Sequence, residues 1–255
     1  MFPVYPDLKN KHVLITGGSN GIGEALTRTF AQQASEVTIL DLDKDKGLKI
    51  AKDCENLNCK VNVYSVDLTN TSELTKTLNL IKQETPIVDV LINNAGYDPR
   101  YPLLEMSEEE WNHLFQLNVV HYFITCRELL PDMIKAGGGS IIMTSSHVFW
   151  IAKPDMIAYN TTKAAVIGLV RSLATAAGKH HIRVNAVAPG WIMTERQLEQ
   201  WVTPEAKQKT INELQSIPLE LTPDELMGTY LFLASESSRA ITRQTIVVDG
   251  GYAQS

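Results

Sequence analysis

The apolar run His12-Val13-Leu14-Ile15 leads directly into Thr16-Gly17-Gly18-Ser19-Asn20-Gly21-Ile22-Gly23, and that into Glu24-Ala25-Leu26-Thr27-Arg28-Thr29-Phe30-Ala31. This is the order strand, glycine turn, helix, and it constrains the fold more tightly than any other stretch. Gly17, Gly21 and Gly23 let the backbone take positive dihedrals and approach a ligand closely. The helix start behind them offers unpaired N–H groups and a partial positive charge, which suits a pyrophosphate. The spacing is G-x3-G-x-G rather than the G-x-G-x-x-G of the standard dinucleotide fingerprint, so an ordinary tight turn between strand and helix stands as the alternative. Asp41 weighs against that alternative. It closes a second strand, Glu36-Val37-Thr38-Ile39-Leu40, where a carboxylate can accept both hydroxyls of an adenosine ribose and repel a 2′-phosphate. The cofactor expected from this pairing is NAD rather than NADP, with Lys44 and Lys46 as the nearby charges that argue the other way.

Short apolar runs alternate with longer amphipathic stretches along the rest of the chain. Strands are expected near 12–15, 36–40, 60–66, 88–93, 139–145, 182–187 and 244–248, with helices between them. That pattern predicts an α/β fold: a Rossmann-type doubly wound parallel sheet of about seven strands with helices on both faces. No repeat, low-complexity stretch or linker interrupts the alternation, so residues 1–255 are expected to form a single domain, with a substrate lid around 190–220. The net charge of −6 argues against a sequence-independent hold on nucleic acid. No apolar run reaches membrane-spanning length, and Met1-Phe2-Pro3-Val4-Tyr5-Pro6-Asp7 lacks the basic start and apolar core of a secretion signal. The expectation is a cytoplasmic protein. Cys54, Cys59 and Cys126 lack the paired spacing of a zinc site, so free thiols and no metal are expected.

Tyr159 and Lys163 stand four residues apart in Ala158-Tyr159-Asn160-Thr161-Thr162-Lys163, which puts them on one helical face. A free phenol titrates near pH ~10, and a close cation favours its ionised form. The pair by itself is a weak signal and reads first as a solvated surface contact; its company gives it weight.

In this order the pieces resemble the short-chain dehydrogenase/reductase family over nearly the whole chain. Thr16 to Gly23 is similar to the family's T-G-x-x-x-G-x-G turn, and Asn93-Asn94-Ala95-Gly96 to its N-N-A-G motif. Asn118 in Leu117-Asn118-Val119 matches its active-site asparagine. Ser146 precedes Tyr159 by thirteen residues, the family spacing, and Tyr159/Lys163 is its Y-x-x-x-K. Pro189-Gly190, Ile192 and Thr194 look like the segment that meets the nicotinamide, and Asp249-Gly250-Gly251 resembles the C-terminal signature. The resemblance implies hydride transfer between a substrate C–H and the nicotinamide, with Asn118, Ser146, Tyr159 and Lys163 as catalytic residues. Tyr159 would take the substrate proton. Lys163 would hold the nicotinamide ribose and lower the tyrosine pKa, Ser146 would hydrogen-bond the reacting oxygen, and Asn118 would support a water leading from Lys163 to solvent. Gly17, Asn20, Gly21, Ile22 and Gly23 would receive the pyrophosphate. Asp67 and Leu68 would embrace the adenine, and Asn94, Ala95 and Gly96 would line the adenosine side. A mere turn role for Asp67 stays open. The family commonly assembles as tetramers through the helices carrying Asn118 and Tyr159, which makes a homotetramer the expected assembly.

The segments that vary in the family set the substrate. Here they are Tyr97-Asp98-Pro99-Arg100-Tyr101, His147-Val148-Phe149-Trp150, and Trp191 through Gln197 to Trp201-Val202-Thr203-Pro204-Glu205. Aromatic faces interleaved with bidentate polar groups suit a sugar better than an aliphatic chain. The candidate substrate contacts are Ser146, His147, Tyr159 and Trp191. These segments also resemble a subgroup oxidising aldoses such as galactose, arabinose and xylose at C1, although Gly96-Tyr97 and the offset of Trp150 depart from its pattern. A dehydrogenase or reductase of another small alcohol or ketone, including 3-oxoacyl-type reductases, and a non-catalytic NAD-sensing protein are the competing classes. Asp41 and the acidic balance disfavour an acyl-carrier substrate, and the presence of both Tyr159 and Lys163 disfavours a non-catalytic role.

Overall fold

Period-two alternation inside the strands decides which helix covers which face. In β1 (His12–Thr16) Val13 and Ile15 enter one core while Leu14 enters the other. The computed structural model describes residues 2–57 and 59–253. Among them the strands that follow are β2 (Glu36–Asp41), β3 (Val61–Ser65), β4 (Val90–Asn93), β5 (Gly139–Thr144), β6 (Ile182–Pro189) and β7 (Thr245–Val248). They form one seven-stranded sheet in the order β3-β2-β1-β4-β5-β6-β7, with every pairing parallel. This is the expected doubly wound architecture. The boundaries shift slightly: β3 and β4 are shorter than expected, and β6 extends to Pro189 because β7 continues to pair with it as far as Val248.

The helices are α1 (Gly21–Gln32), α2 (Lys44–Asp53), α3 (Thr71–Glu84), α4 (Glu108–Phe115), α5 (His121–Ala136), α6 (Val148–Ile151), α7 (Ile157–Ala177), α8 (Glu195–Gln200), α9 (Pro204–Lys209) and α10 (Asp224–Ala234). Leu74, Leu78 and Ile81 of α3, Tyr122 and Leu129 of α5, and Val166 and Val170 of α7 pack on one face of the sheet. Leu26 and Phe30 of α1 with Leu226, Tyr230 and Leu231 of α10 cover the other. Fully burying each such aliphatic or aromatic side chain contributes about 1.5–3 kcal/mol. Strands β1, β4 and β6 are buried along their whole length, as central strands covered on both faces must be. Among the described residues, no helix is long and apolar enough to cross a membrane.

The sheet grows outward from β1 to β3, then returns to the other side of β1 with β4. Successive connections therefore leave in opposite directions at the β1/β4 junction, opening a crevice at the carboxyl ends of the strands. The thiols of Cys54, Cys59 and Cys126 are free.

Candidate active site

The crevice is lined first by the turn after β1. Gly17 and Gly21 have φ of +67° and +52°, and a Cβ on Gly23 would stand 1.7 Å from the Gly17 carbonyl oxygen, so the tight packing of turn on helix admits only glycine there. Helices α2 and α3 are capped by Asp43 and Asn70. Helix α1 is not: the side chain of its N-cap, Asn20, instead accepts a hydrogen bond from Lys46 Nζ at 2.7 Å. The first N–H groups of α1 thus face the groove without a capping side chain, and the positive end of the helix is available to an anion. At the end of β2 the Asp41 carboxylate accepts from the backbone N–H of Ser19 at 2.9 Å and of Asp43 at 3.0 Å. Two carboxylate oxygens have about four acceptor positions, so these bonds orient Asp41 and leave capacity for ribose hydroxyls. Asp67 lies further along the same groove, where it accepts from the N–H and hydroxyl of Thr69. Leu68, Asn94, Ala95, Gly96 and Thr194 also line it, with Lys46, Glu195, Arg196 and Glu199 as further charges on the rim. This donor and acceptor set fits a dinucleotide.

The second half of the cleft lies over the ends of β5 and β6 and shares Ile22, Asn94, Gly96, Thr194 and Arg196 with the first. Tyr159 and Lys163 come from the first turns of α7 and both face it. Lys163 is 2% exposed, donates to the Thr144 carbonyl at 2.9 Å, and sits 5.5 Å from the centre of the Tyr159 ring. Burial brings its pKa down to about 8. Desolvation drives the Tyr159 phenol well above its ordinary value, the Asp98 carboxylate adds to the rise, and hydrogen bonding to Ser146 and the charge of Arg196 oppose it. The protein's own side chains therefore do not produce the phenol depression expected of Lys163, whose ammonium is aimed at a backbone carbonyl.

Asn118 is fully buried in a one-turn π-helix, Gln116–Val120, that joins α4 to α5. Its side chain reads the Tyr97 peptide on both sides, accepting from the N–H at 2.8 Å and donating to the carbonyl at 3.0 Å. Such π-turns inside α-helices recur at functional sites. A Cβ on Gly96 would lie 3.0 Å from Asn118 Oδ1 and 3.2 Å from Lys163 Nζ, so glycine leaves room there for both side chains.

The substrate side adds a polar lattice. Trp191 Nε1 donates to Gln197 Oε1 at 2.9 Å, Gln197 Nε2 donates to Asp98 Oδ2 at 2.8 Å, and Arg196 Nη2 donates to Asp98 Oδ1 at 2.5 Å. Thr194 caps α8 and brings Arg196 and Gln197 over the cleft. His147 is buried and its Nδ1 lies 3.1 Å from Asp249 Oδ2, while Asp249 also accepts from the N–H groups of Gly251, Tyr252 and Ala253. The wall beside Ser146 is thereby tied to the segment after β7.

The structure gathers almost every expected position into this cleft. Gly23 and Asn118 do not line it: the first packs behind the turn and the second behind Gly96. Trp150 lies outside the lining with its ring stacked on Phe149, centroids 3.6 Å apart, and Trp201 lies beneath Arg100. Sequence reasoning did not single out Thr144, Lys153 or Met156, nor pick Asp98, Arg100, Arg196 and Gln197 out of the variable segments as contacts, and all of these line the substrate half. A separate hollow at the opposite end of the strands, between Lys11, Asp89 and Gly137 to Gly139, holds none of the expected residues.

Comparison with known proteins agrees with this geometry. A family model described as enoyl-(acyl carrier protein) reductase matches residues 17–253. A probable galactose dehydrogenase of Rhizobium meliloti is 39% identical over 97% of this chain and 96% of its own length, and a D-xylose 1-dehydrogenase of Caulobacter vibrioides is 33% identical over 98% of both. A crystal structure of a 3-oxoacyl-[acyl-carrier protein] reductase from Brucella melitensis with bound NAD superposes with a TM-score of 0.90 at 29% identity, over 100% of this chain and 97% of that one. The chain belongs to the short-chain dehydrogenase/reductase family. It is an oxidoreductase of that family, and among its solved relatives the Brucella reductase carries NAD and an L-sorbose reductase of Gluconobacter frateurii carries NADPH.

Proposed function

We propose that this enzyme oxidises an aldose at C1 to the lactone with NAD. The observation that carries the reading is the meeting, in one cavity, of Ser146, Tyr159 and Lys163 with the aromatic and bidentate wall of Trp191, Gln197, Asp98 and Arg196. A ring hydroxyl array presents both apolar faces and paired hydrogen-bonding groups, which that wall complements. The similarity to a galactose dehydrogenase and a xylose dehydrogenase supports the same choice.

A bound nicotinamide supplies the acceptor for the hydride that leaves C1. Tyr159 would take the proton of the C1 hydroxyl once the positive charges of Lys163 and of an oxidised nicotinamide offset the burial that holds its phenol protonated, and Ser146 donates a hydrogen bond to the same oxygen as charge develops there. Lys163 holds the nicotinamide ribose while Asn118 fixes the Tyr97 peptide and, through Gly96, the approach to Lys163. Asp41 holds the adenosine ribose, with Asp67 and Leu68 at the adenine, Asn94, Ala95 and Gly96 along the adenosine side, and the uncapped start of α1, from Asn20 to Gly23, at the pyrophosphate. Pro189, Gly190, Ile192 and Thr194 border the nicotinamide, and residues 190–220 act as the lid of a single catalytic domain. His147 and Trp191 bound the substrate. We place the enzyme in the cytoplasm as a homotetramer.

A second reading, reduction of a 3-oxoacyl group, draws support from the Brucella relative. It is disfavoured by the net charge of −6, which repels an acidic carrier. A panel of aldoses, polyols, hydroxy acids and acetoacetyl thioesters, read by NADH absorbance, separates the two. The aldose reading requires an aldose to give the highest kcat/KM with NAD; a thioester ahead of every sugar would reject it.

A further inference from the structure

The substrate cavity carries more positive charge than a neutral sugar needs. Arg100, Lys153 and Arg196 line it beside Lys163, against the single carboxylate of Asp98, in a protein whose net charge is −6. Asp98 is already committed to Arg196 and Gln197. Among the described residues, neither Arg100 nor Lys153 has a carboxylate within ion-pair distance. The Arg100 guanidinium lies 4.4 Å over the Trp201 ring, and its Nε is buried with no hydrogen-bond partner. Lys153 Nζ lies 5.4 Å from the centre of the Trp191 ring. Burial, then repulsion from Arg100, lowers the Lys153 pKa, and the charges of Asp155 and Asp98 counter only part of this.

Aromatic faces hold cations in place but do not satisfy their N–H groups as an oxygen anion does. Two neighbouring cations kept partly desolvated and unpaired are costly unless something negative joins them. The cofactor is not that group. Arg100 and Lys153 do not line the groove of Gly17, Asn20 and Asp41, where the start of α1 already offers a seat for phosphate.

We propose that Arg100 and Lys153 form a carboxylate-binding subsite, and that the preferred substrate is a sugar acid whose carboxylate sits there while a remote carbinol carbon faces Tyr159. The proposal rests on the sugar reading above and narrows it. For a uronate the step balances simply: C1 loses a hydride to NAD, its hydroxyl loses a proton to Tyr159, and a lactone bearing the untouched carboxylate results.

The test compares galacturonate with galactose, and glucuronate with glucose, at saturating NAD. The acid should show a kcat/KM higher by about tenfold or more, equivalent to about 1.4 kcal/mol, and added NaCl should lower the rate for the acid more than for the neutral sugar. Arg100→Gln and Lys153→Gln should each cut the acid-to-neutral ratio by about tenfold, and Arg100→Lys should retain much of it. A second readout needs no turnover: calorimetry of galactonate binding to the enzyme–NADH complex, where both Gln variants should weaken binding by about tenfold. Neutral sugars equal to or better than the acids, a sugar 6-phosphate ahead of the uronate, or parallel loss on acid and neutral substrates would overturn the subsite. If acids bind through Arg100 and Lys153 while no aldose or uronate is oxidised at C1, the subsite stands and the C1 reading falls.

Discussion

Replacing Lys163 by methionine should leave the cofactor-free protein as stable at pH 7, or more stable, while weakening cofactor binding and catalysis. The ammonium is almost fully buried and has one hydrogen-bond acceptor, the Thr144 carbonyl. Burial takes its pKa from 10.5 to about 8. Because the folded value lies below the unfolded one, the unfolded chain binds more protons between those pH values, and stability rises with pH across that window. At ~1.4 kcal/mol per pH unit the difference corresponds to about 3 kcal/mol, and below pH 8 the folded protein carries the whole penalty. Methionine removes it but loses a charged hydrogen bond of about 1.5–3 kcal/mol. The Thr144 carbonyl is not orphaned, because the Tyr122 hydroxyl donates to it at 3.1 Å. The net result is a variant more stable by about 0–2 kcal/mol at pH 7. Urea unfolding of both proteins from pH 7 to pH 10.5 measures this. Wild type should gain on the variant by up to about 3 kcal/mol over the upper part of the range. Parallel profiles, or a variant less stable by more than about 2 kcal/mol at pH 7, would refute the assignment of a strained buried charge.

Asp41→Ala should weaken NAD binding and reduce discrimination against NADP, since it removes both the ribose acceptor and the repulsion of a 2′-phosphate and leaves Lys46 as the nearby charge on the groove; wild type already preferring NADP in kcat/KM would contradict this. Gly23→Ala should lose cofactor binding and several kcal/mol of stability, because its Cβ would stand 1.7 Å from the Gly17 carbonyl oxygen; a variant with a normal Tm and normal NAD titration would show that the turn relaxes freely. Sedimentation at micromolar concentration should give a tetramer, and a monomer would remove the assembly proposed above.

Local pattern explains what the sequence made legible. The strands were visible because Val, Leu and Ile cluster in short runs. The glycine turn and Asp41 were visible because each sits directly at a strand end, and Tyr159 and Lys163 because one helical turn separates them. The remainder depends on contacts between distant residues. The π-turn at Asn118 is stabilised by a clamp on the Tyr97 peptide, which no helical periodicity encodes. The direction of Lys163 Nζ follows from the position of the Thr144 carbonyl at the end of β5. Asp98 joins Arg196 and Gln197 across about a hundred residues of chain, and Arg100 and Lys153 reach the cavity from irregular loops where side-chain spacing has no period. Trp150 had the composition of a substrate contact and was instead taken up by Phe149.

Tyr159→Phe tests the central claim most directly. The ring beside the cleft is kept and the proton-accepting oxygen is removed, so NAD affinity should stay close to wild type. The kcat for the best sugar or sugar acid should fall by about a hundred- to ten-thousand-fold, the range of a lost general base. NAD titration and steady-state rates on the two proteins give the comparison, with a pre-steady-state burst of NADH reporting whether chemistry or product release limits wild type. A variant that kept more than about a tenth of wild-type kcat, in an enzyme showing no burst, would mean that the proton leaves by a route other than Tyr159.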